Sequence, residues 1–101
     1  MARPRIDIPT DKIETFCRKW KVKELALFGS VLTDDFRPDS DVDVLVVYDE
    51  NAGWDLWDHL HAQEELKRLL GREVDLVEKR AVTNPFRRHH ILTNLEIVYA
   101  T

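Results

Sequence analysis

The stretch that most constrains this chain is "VDVLVVY", Val42 to Tyr48. Its β-branched residues favour extended backbone, so it is read as the central strand of a sheet. The strand opens, however, on two carboxylates, Asp41 and Asp43. Side chains alternate faces along a strand, which puts both aspartates on one side and Val42 and Val44 on the other. Like charges that close repel and raise one another's pKa unless a cation or donor compensates them. Hard carboxylate oxygens suit Mg²⁺ or Mn²⁺, and Mg²⁺ takes one or two carboxylates while a substrate's phosphates complete its shell. An isolated Asp-x-Asp is more often a solvated pair where a strand begins, so its company has to decide.

That company begins with Gly29 and Ser30, directly after "ELALF" (Glu24–Phe28), a short apolar run that reads as a buried strand. A glycine at a strand end lets backbone approach a ligand, and a helix starting there would aim N–H groups at an anion. Ser30 adds a hydroxyl. A Gly-Ser dipeptide also marks ordinary turns and caps. Its value lies in the interval, because the short connection through Ser30–Ser40, read as a helical turn and a loop, returns the chain to Asp41. A third carboxylate, Asp75, sits in "EVDLVE" (Glu73–Glu78), whose period-two alternation reads as another strand. Neighbouring strands would bring Asp41, Asp43 and Asp75 together to hold metal, with Asp75 able to accept a hydroxyl's proton. By itself Asp75 reads rather as an exposed polar position on an edge strand.

The remaining elements follow from local signals. Ile13, Phe16, Cys17 and Trp20 share one helical face between Asp11 and Lys21, with Asp11 and Glu14 read as a capping box. A helix from about Asp55 to Leu70 carries Leu56, Leu60, Gln63, Leu66 and Leu70 near a 3.6-residue period and stops at Gly71. Asn84-Pro85 starts another towards Thr93, and "LEIVYA" reads as a last strand. The expectation is one α/β (α+β) domain over residues 1–101, with a small mixed sheet of three to four strands flanked by helices.

Composition narrows the function. A length of 101 residues admits one core, and a net charge of −4 argues against a chain built to coat nucleic acid. No apolar run approaches a membrane span, and the arginine-bearing start "MARPRIDIPT" lacks an export core. The lone Cys17 excludes an internal disulfide and fits a reducing cytoplasm. His59 and His61, two apart on a helix, point to different sides, and His89 and His90 also diverge, so all four are read as surface or interface residues. Trp54 and Trp57 are read as packing residues. The basic run "KRAVTNPFRRHH" has a solvated face as its default.

Taken together, "LFGS", "RPDSDVDVLV" and "VDLV" resemble the minimal nucleotidyltransferases of the DNA polymerase β superfamily, over about Leu25 to Tyr99. The resemblance implies the nucleotidyltransferase fold. It implies that Gly29 and Ser30 contact the triphosphate, and that Asp41, Asp43 and Asp75 form the catalytic metal site for Mg²⁺ or Mn²⁺. The implied reaction is transfer of AMP from ATP to a protein hydroxyl, with pyrophosphate released. Compact members of the family are often antitoxins that AMPylate a HEPN-type ribonuclease toxin, so a HEPN partner in a cytoplasmic hetero-oligomer is expected, with no membrane and no direct nucleic-acid contact. The chain departs from the family where arginines usually follow Gly-Ser: it has Val31, then Asp34-Asp35. Two readings follow: either Arg37 or the basic C-terminal residues compensate, or the chain neutralises its partner mainly by binding.

Overall fold

The computed structural model describes residues 6–101, so the arginines of the first five positions lie outside the described residues. Its order is α1 (Thr10–Lys19), β1 (Val22–Phe28), a single 3₁₀ turn (Gly29–Leu32), β2 (Val42–Tyr48), α2 (Leu56–Leu70), β3 (Val74–Glu78), a second 3₁₀ turn (Lys79–Ala81), α3 (Pro85–Thr93) and β4 (Leu95–Ala100). The sheet runs β3-β2-β1-β4, with β1 antiparallel to β2 and β4, and β3 parallel to β2. The parallel pair requires a crossover, which α2 supplies. The mixed four-stranded sheet with helices is therefore the expected architecture.

Period two along β2 decides which face each residue serves. Val42, Val44 and Val46 are buried with Ile13, Phe16 and Cys17 of α1 and with Ala62 and Leu66 of α2. Leu45 turns the other way, into a smaller cluster with Ala26, Phe28, Val82 and Ile91 of α3. Asp43 shares Leu45's parity and Asp75 shares that of Val77, which packs against this smaller cluster. The sheet is thus fully covered on one face. On the other, α3 covers only a part, and the carboxylates stand on that face.

Helix ends explain most boundaries. Asp55 Oδ1 accepts from the Asp58 N–H at 2.9 Å while Asp58 Oδ2 accepts from the Asp55 N–H at 3.0 Å, a reciprocal cap. Gly71 closes α2 in left-handed conformation, and its N–H donates to the Lys67 carbonyl at 2.8 Å. Asn84 Oδ1 accepts from the N–H groups of Phe86 and Arg87, as the Asn-Pro start of α3 predicts.

Four expectations need correction. The Asp11–Glu14 capping box does not form, because α1 already starts at Thr10: Pro9, two residues before Asp11, is its N-cap and no side chain caps it. Asp11 instead lies in the first turn, where a carboxylate suits the positive end of the helix dipole, and Glu14 pairs with Arg18. The helical turn read after β1 is a 3₁₀ turn of four residues that Gly29 and Ser30 themselves open. The apolar stripe of α2 is buried only in its second half, for Leu56 is 69% exposed and Leu60 also faces solvent. His59 is half-buried and structural. A carbonyl can only accept, so His59 Nε2–H donates to the Leu76 carbonyl at 2.8 Å and its Nδ1 accepts from the Tyr48 hydroxyl at 3.0 Å. Gln63 Oε1 accepts from the Leu76 N–H at 2.9 Å, so two α2 side chains satisfy the edge strand's outward backbone groups. Trp54 packs edge-on against Trp20, and its indole N–H donates to the Trp20 carbonyl, whereas Trp57 is exposed.

Candidate active site

Strand register assembles the site around Asp43. Across β1 its partner is Phe28, the residue before Gly29, and across β3 its partner is Asp75. The 3.6-period helix α2 makes this possible by returning the chain parallel to β2 in register. Asp41 lies two residues upstream, exposed and just outside the strand rather than on it. Gly29 has a positive φ of 77°, and a Cβ there would overlap Asp43 Oδ2. Only a residue without a side chain allows the end of β1 to lie against that carboxylate.

The electrostatics follow from the packing. Burial pushes the Asp43 carboxyl above its ordinary range, Asp75 and Asp41 push it further, and the Arg87 guanidinium draws it back. Among the described residues no three His, Cys, Asp or Glu side chains already close around a single point. The donor set nevertheless fits a hard divalent cation, since Mg²⁺ needs only one or two carboxylates beside phosphate and water oxygens. The mutual repulsion raising Asp43 is what such a cation would relieve. Ser30 is half-buried in the 3₁₀ turn, and Val31 is fully buried in the larger core. The position after Ser30 therefore points inward, away from any ligand.

Gly29 and Ser30 form one wall of a cleft of about 760 Å³, joined by Thr33 and Asp35, and α3 forms the other wall with Arg87, His90 and Asn94. Its size suits a nucleotide. In the sequence Arg87 and His90 stood out only collectively, among the basic C-terminal residues offered as compensation for the loop, because "RRHH" by default reads as a solvated run. The available signal was phase: Arg87 is one turn before Ile91, which packs on the sheet, so both lie on one helical face. Arg88, out of phase, is structural, its guanidinium donating to the carbonyls of Lys79 and Val82. Arg37 lines a separate hollow with Phe36 and Arg72. A further hollow at the far end of β2, near Tyr48 and Trp54, contains none of the predicted site residues.

Comparison with known proteins agrees with this geometry. Residues 11–98 match the family described as the nucleotidyltransferase domain. MJ1379 of Methanocaldococcus jannaschii, provisionally named a protein adenylyltransferase, is 38% identical over 77 residues, 76% of this chain and 77% of its own. A solved structure provisionally described as a minimal nucleotidyltransferase superposes with a TM-score of 0.71 at 32% identity, covering 86% of each chain. The fold is also similar to a chain from the complex of a tri-AMPylated HEPN toxin with its MNT antitoxin from Shewanella oneidensis. There the TM-score is 0.65 at 23% identity, over 91% of this chain and 70% of that one. The motif residues, the sheet that gathers them and these likenesses have one common explanation: this chain belongs to the nucleotidyltransferase domain family.

Proposed function

We propose that this nucleotidyltransferase transfers AMP from ATP to a hydroxyl of a HEPN-type ribonuclease and serves as its antitoxin. The observation that carries the proposal is the register that sets Asp43 between Asp75 on β3 and the Gly29 end of β1. The name of the Methanocaldococcus relative and the AMPylated state of the Shewanella toxin support both the group transferred and the kind of acceptor. On this reading residues 1–101 act as one catalytic unit and the partner supplies the acceptor in a hetero-oligomer. A lone buried thiol, Cys17, suits the reducing cytoplasm.

Each residue then has a physical task. Gly29 and Ser30 receive the phosphates, through backbone approach and a hydroxyl donor. Asp41 and Asp43 hold the divalent cation, Mg²⁺ or Mn²⁺, and Asp75 completes the set. When bound, the cation neutralises phosphate charge and lowers the pKa of the attacking hydroxyl. The acceptor oxygen bonds to the α-phosphorus as the bond from that phosphorus to the α,β-bridging oxygen breaks. Pyrophosphate leaves with the bridging oxygen, and the hydroxyl proton passes to the Asp75 carboxylate and on to water. Catalysis on these lines is alignment plus charge neutralisation.

Asp35 on the wall of the phosphate cleft favours a second reading, in which the same surface neutralises the partner by binding alone. ATP labelled at the α-phosphate, incubated with Mg²⁺ and the HEPN partner, separates the two. The expected result is label on the partner, pyrophosphate in solution, and loss of both with Asp43→Asn. Partner inhibition with no label, retained by the Asp41→Ala, Asp43→Ala double variant, would establish the binder instead.

A further inference from the structure

A polyanion bound at Gly29 and Ser30 needs cationic partners, and the loop that follows cannot provide them. Val31 is buried, and Asp35 adds negative charge to the cleft. The opposite wall has what the loop lacks. Arg87 stands in the first turn of α3, in phase with the anchored Ile91, and His90 follows three residues later on the same side. Asn84 caps this turn, which fixes the height of Arg87 above the sheet. No hydrogen bond or ion pair ties the Arg87 side chain to another described residue, in contrast with Arg88 beside it. Arg87 lines the same cleft as Gly29 and Ser30, and Gly29 lies against the Asp43 carboxylate; the pull of the guanidinium on that carboxylate agrees with this placement. One cation therefore overlooks both the carboxylates and the cleft.

We propose that Arg87, with His90 beside it, grips the nucleotide's phosphates from α3, opposite Gly29 and Ser30, and supplies the cationic contacts that the acidic loop does not. Arg87 is the permanent charge of the pair, because a guanidinium stays protonated and its planar fork matches two phosphate oxygens at once. His90 adds a ring N–H donor from the same side of α3. The site so formed recognises a polyphosphate and not a base, so it leaves base selection to other parts of the cleft. This inference rests on the nucleotidyl-transfer reading, and its test is built to fail separately.

The probes are Mg²⁺-ATP and inorganic tripolyphosphate, the second competing for the first, titrated against the full chain and its Arg87→Ala, Arg87→Lys and Arg37→Ala variants. Arg87→Ala is expected to weaken both probes about tenfold or more, as loss of a charge-assisted bidentate contact should. Arg87→Lys should recover part of that loss, and Arg37→Ala, in the other hollow, should bind as wild type does. The thermal midpoint of Arg87→Ala should stay within about 2 °C of wild type, since an exposed side chain held by no hydrogen bond or ion pair contributes little to folding. Wild-type binding of both probes with an equal affinity in Arg87→Ala overturns the proposal and leaves the nucleotidyl-transfer reading intact. Failure of the wild type to bind Mg²⁺-ATP at all overturns both. A tripolyphosphate affinity that survives in Arg87→Ala while ATP affinity falls also overturns it, because the contact would then be to the nucleoside.

Discussion

Gly29→Ala separates backbone strain from loss of the site. Two costs arise at this position. The first is conformational: φ is 77°, and a residue with a Cβ in the left-handed region costs about 1–2 kcal/mol. For a domain of this size that lowers the midpoint by roughly 4–16 °C. The second is specific, since the new methyl would overlap Asp43 Oδ2. To restore ordinary contact the carboxylate must retreat on the order of 1 Å, and a misplacement of that size in a catalytic group costs about a hundredfold in rate. Gly71→Ala is the internal control. It also sits at positive φ, 67°, but its Cβ would meet nothing within 4 Å. Both variants should lose stability by thermal melt, Gly29→Ala the more because of the overlap, and only Gly29→Ala should lose AMP transfer, about a hundredfold, in a single-turnover assay below its midpoint. Equal transfer rates in the two variants would refute the claim that Gly29 is there to admit the Asp43 carboxylate.

Three further outcomes follow from the electrostatics and the core. Asp43 is raised in the folded chain, so its ionisation opposes folding: the group contributes stability below its ordinary value of 3.8, and that stability is lost as pH rises through the folded value. Asp43→Asn should therefore melt higher than wild type at neutral pH while losing transfer, with the advantage vanishing below about pH 4; an equal or lower neutral midpoint would contradict the repulsion. Glu65 has the opposite sign. Burial raises it, but the hydrogen bonds from Lys19 and the Trp20 indole, both 2.5 Å, outweigh burial and hold it below its ordinary 4.5. Its support for the α1–α2 contact is full above that value and is lost as pH falls through the lowered one, so the midpoint gap between wild type and Glu65→Gln should narrow as pH falls below the ordinary 4.5. The Cys17 thiol, fully buried and pushed up to about 12, should resist maleimide in the native chain and react once denaturant unfolds it; rapid native labelling would contradict its place in the core.

Features governed by local chemistry were legible in the sequence. The β-branched run gives β2, the Gly71 stop gives the end of α2, Asn84-Pro85 gives the start of α3, and "LEIVYA" gives β4. The pairing of Asp43 with Asp75 was legible only conditionally, because alternation fixes the face of a residue but not which strands are neighbours. The misread features depend on tertiary geometry or on a one-residue choice. Thr10 extends α1 past the proposed cap, and Asp41 falls just short of the strand. His59 found partners on β2 and β3 that lie far away in sequence. Arg87 was hidden in a basic run whose charge said nothing about direction. Its phase with Ile91 carried that information, and the packing of α3 on the sheet makes it visible. The acidic loop looked like a loss of phosphate contacts when only the residues after Ser30 were considered. With α3 as the facing wall, the same cleft has an acidic side and a basic side.

On the proposed function, the carboxylates gathered at Asp43 perform nucleotidyl transfer to a partner protein. Intact mass of the proposed HEPN-type partner, measured before and after incubation with this chain, Mg²⁺ and ATP, tests it most directly. The account predicts a gain of whole AMP units on the partner, accompanied by loss of its ribonuclease activity, and neither change with Asp43→Asn. An unchanged partner mass in a complex that nevertheless silences the ribonuclease would contradict it, and would leave this nucleotidyltransferase domain acting on its partner as a binder alone.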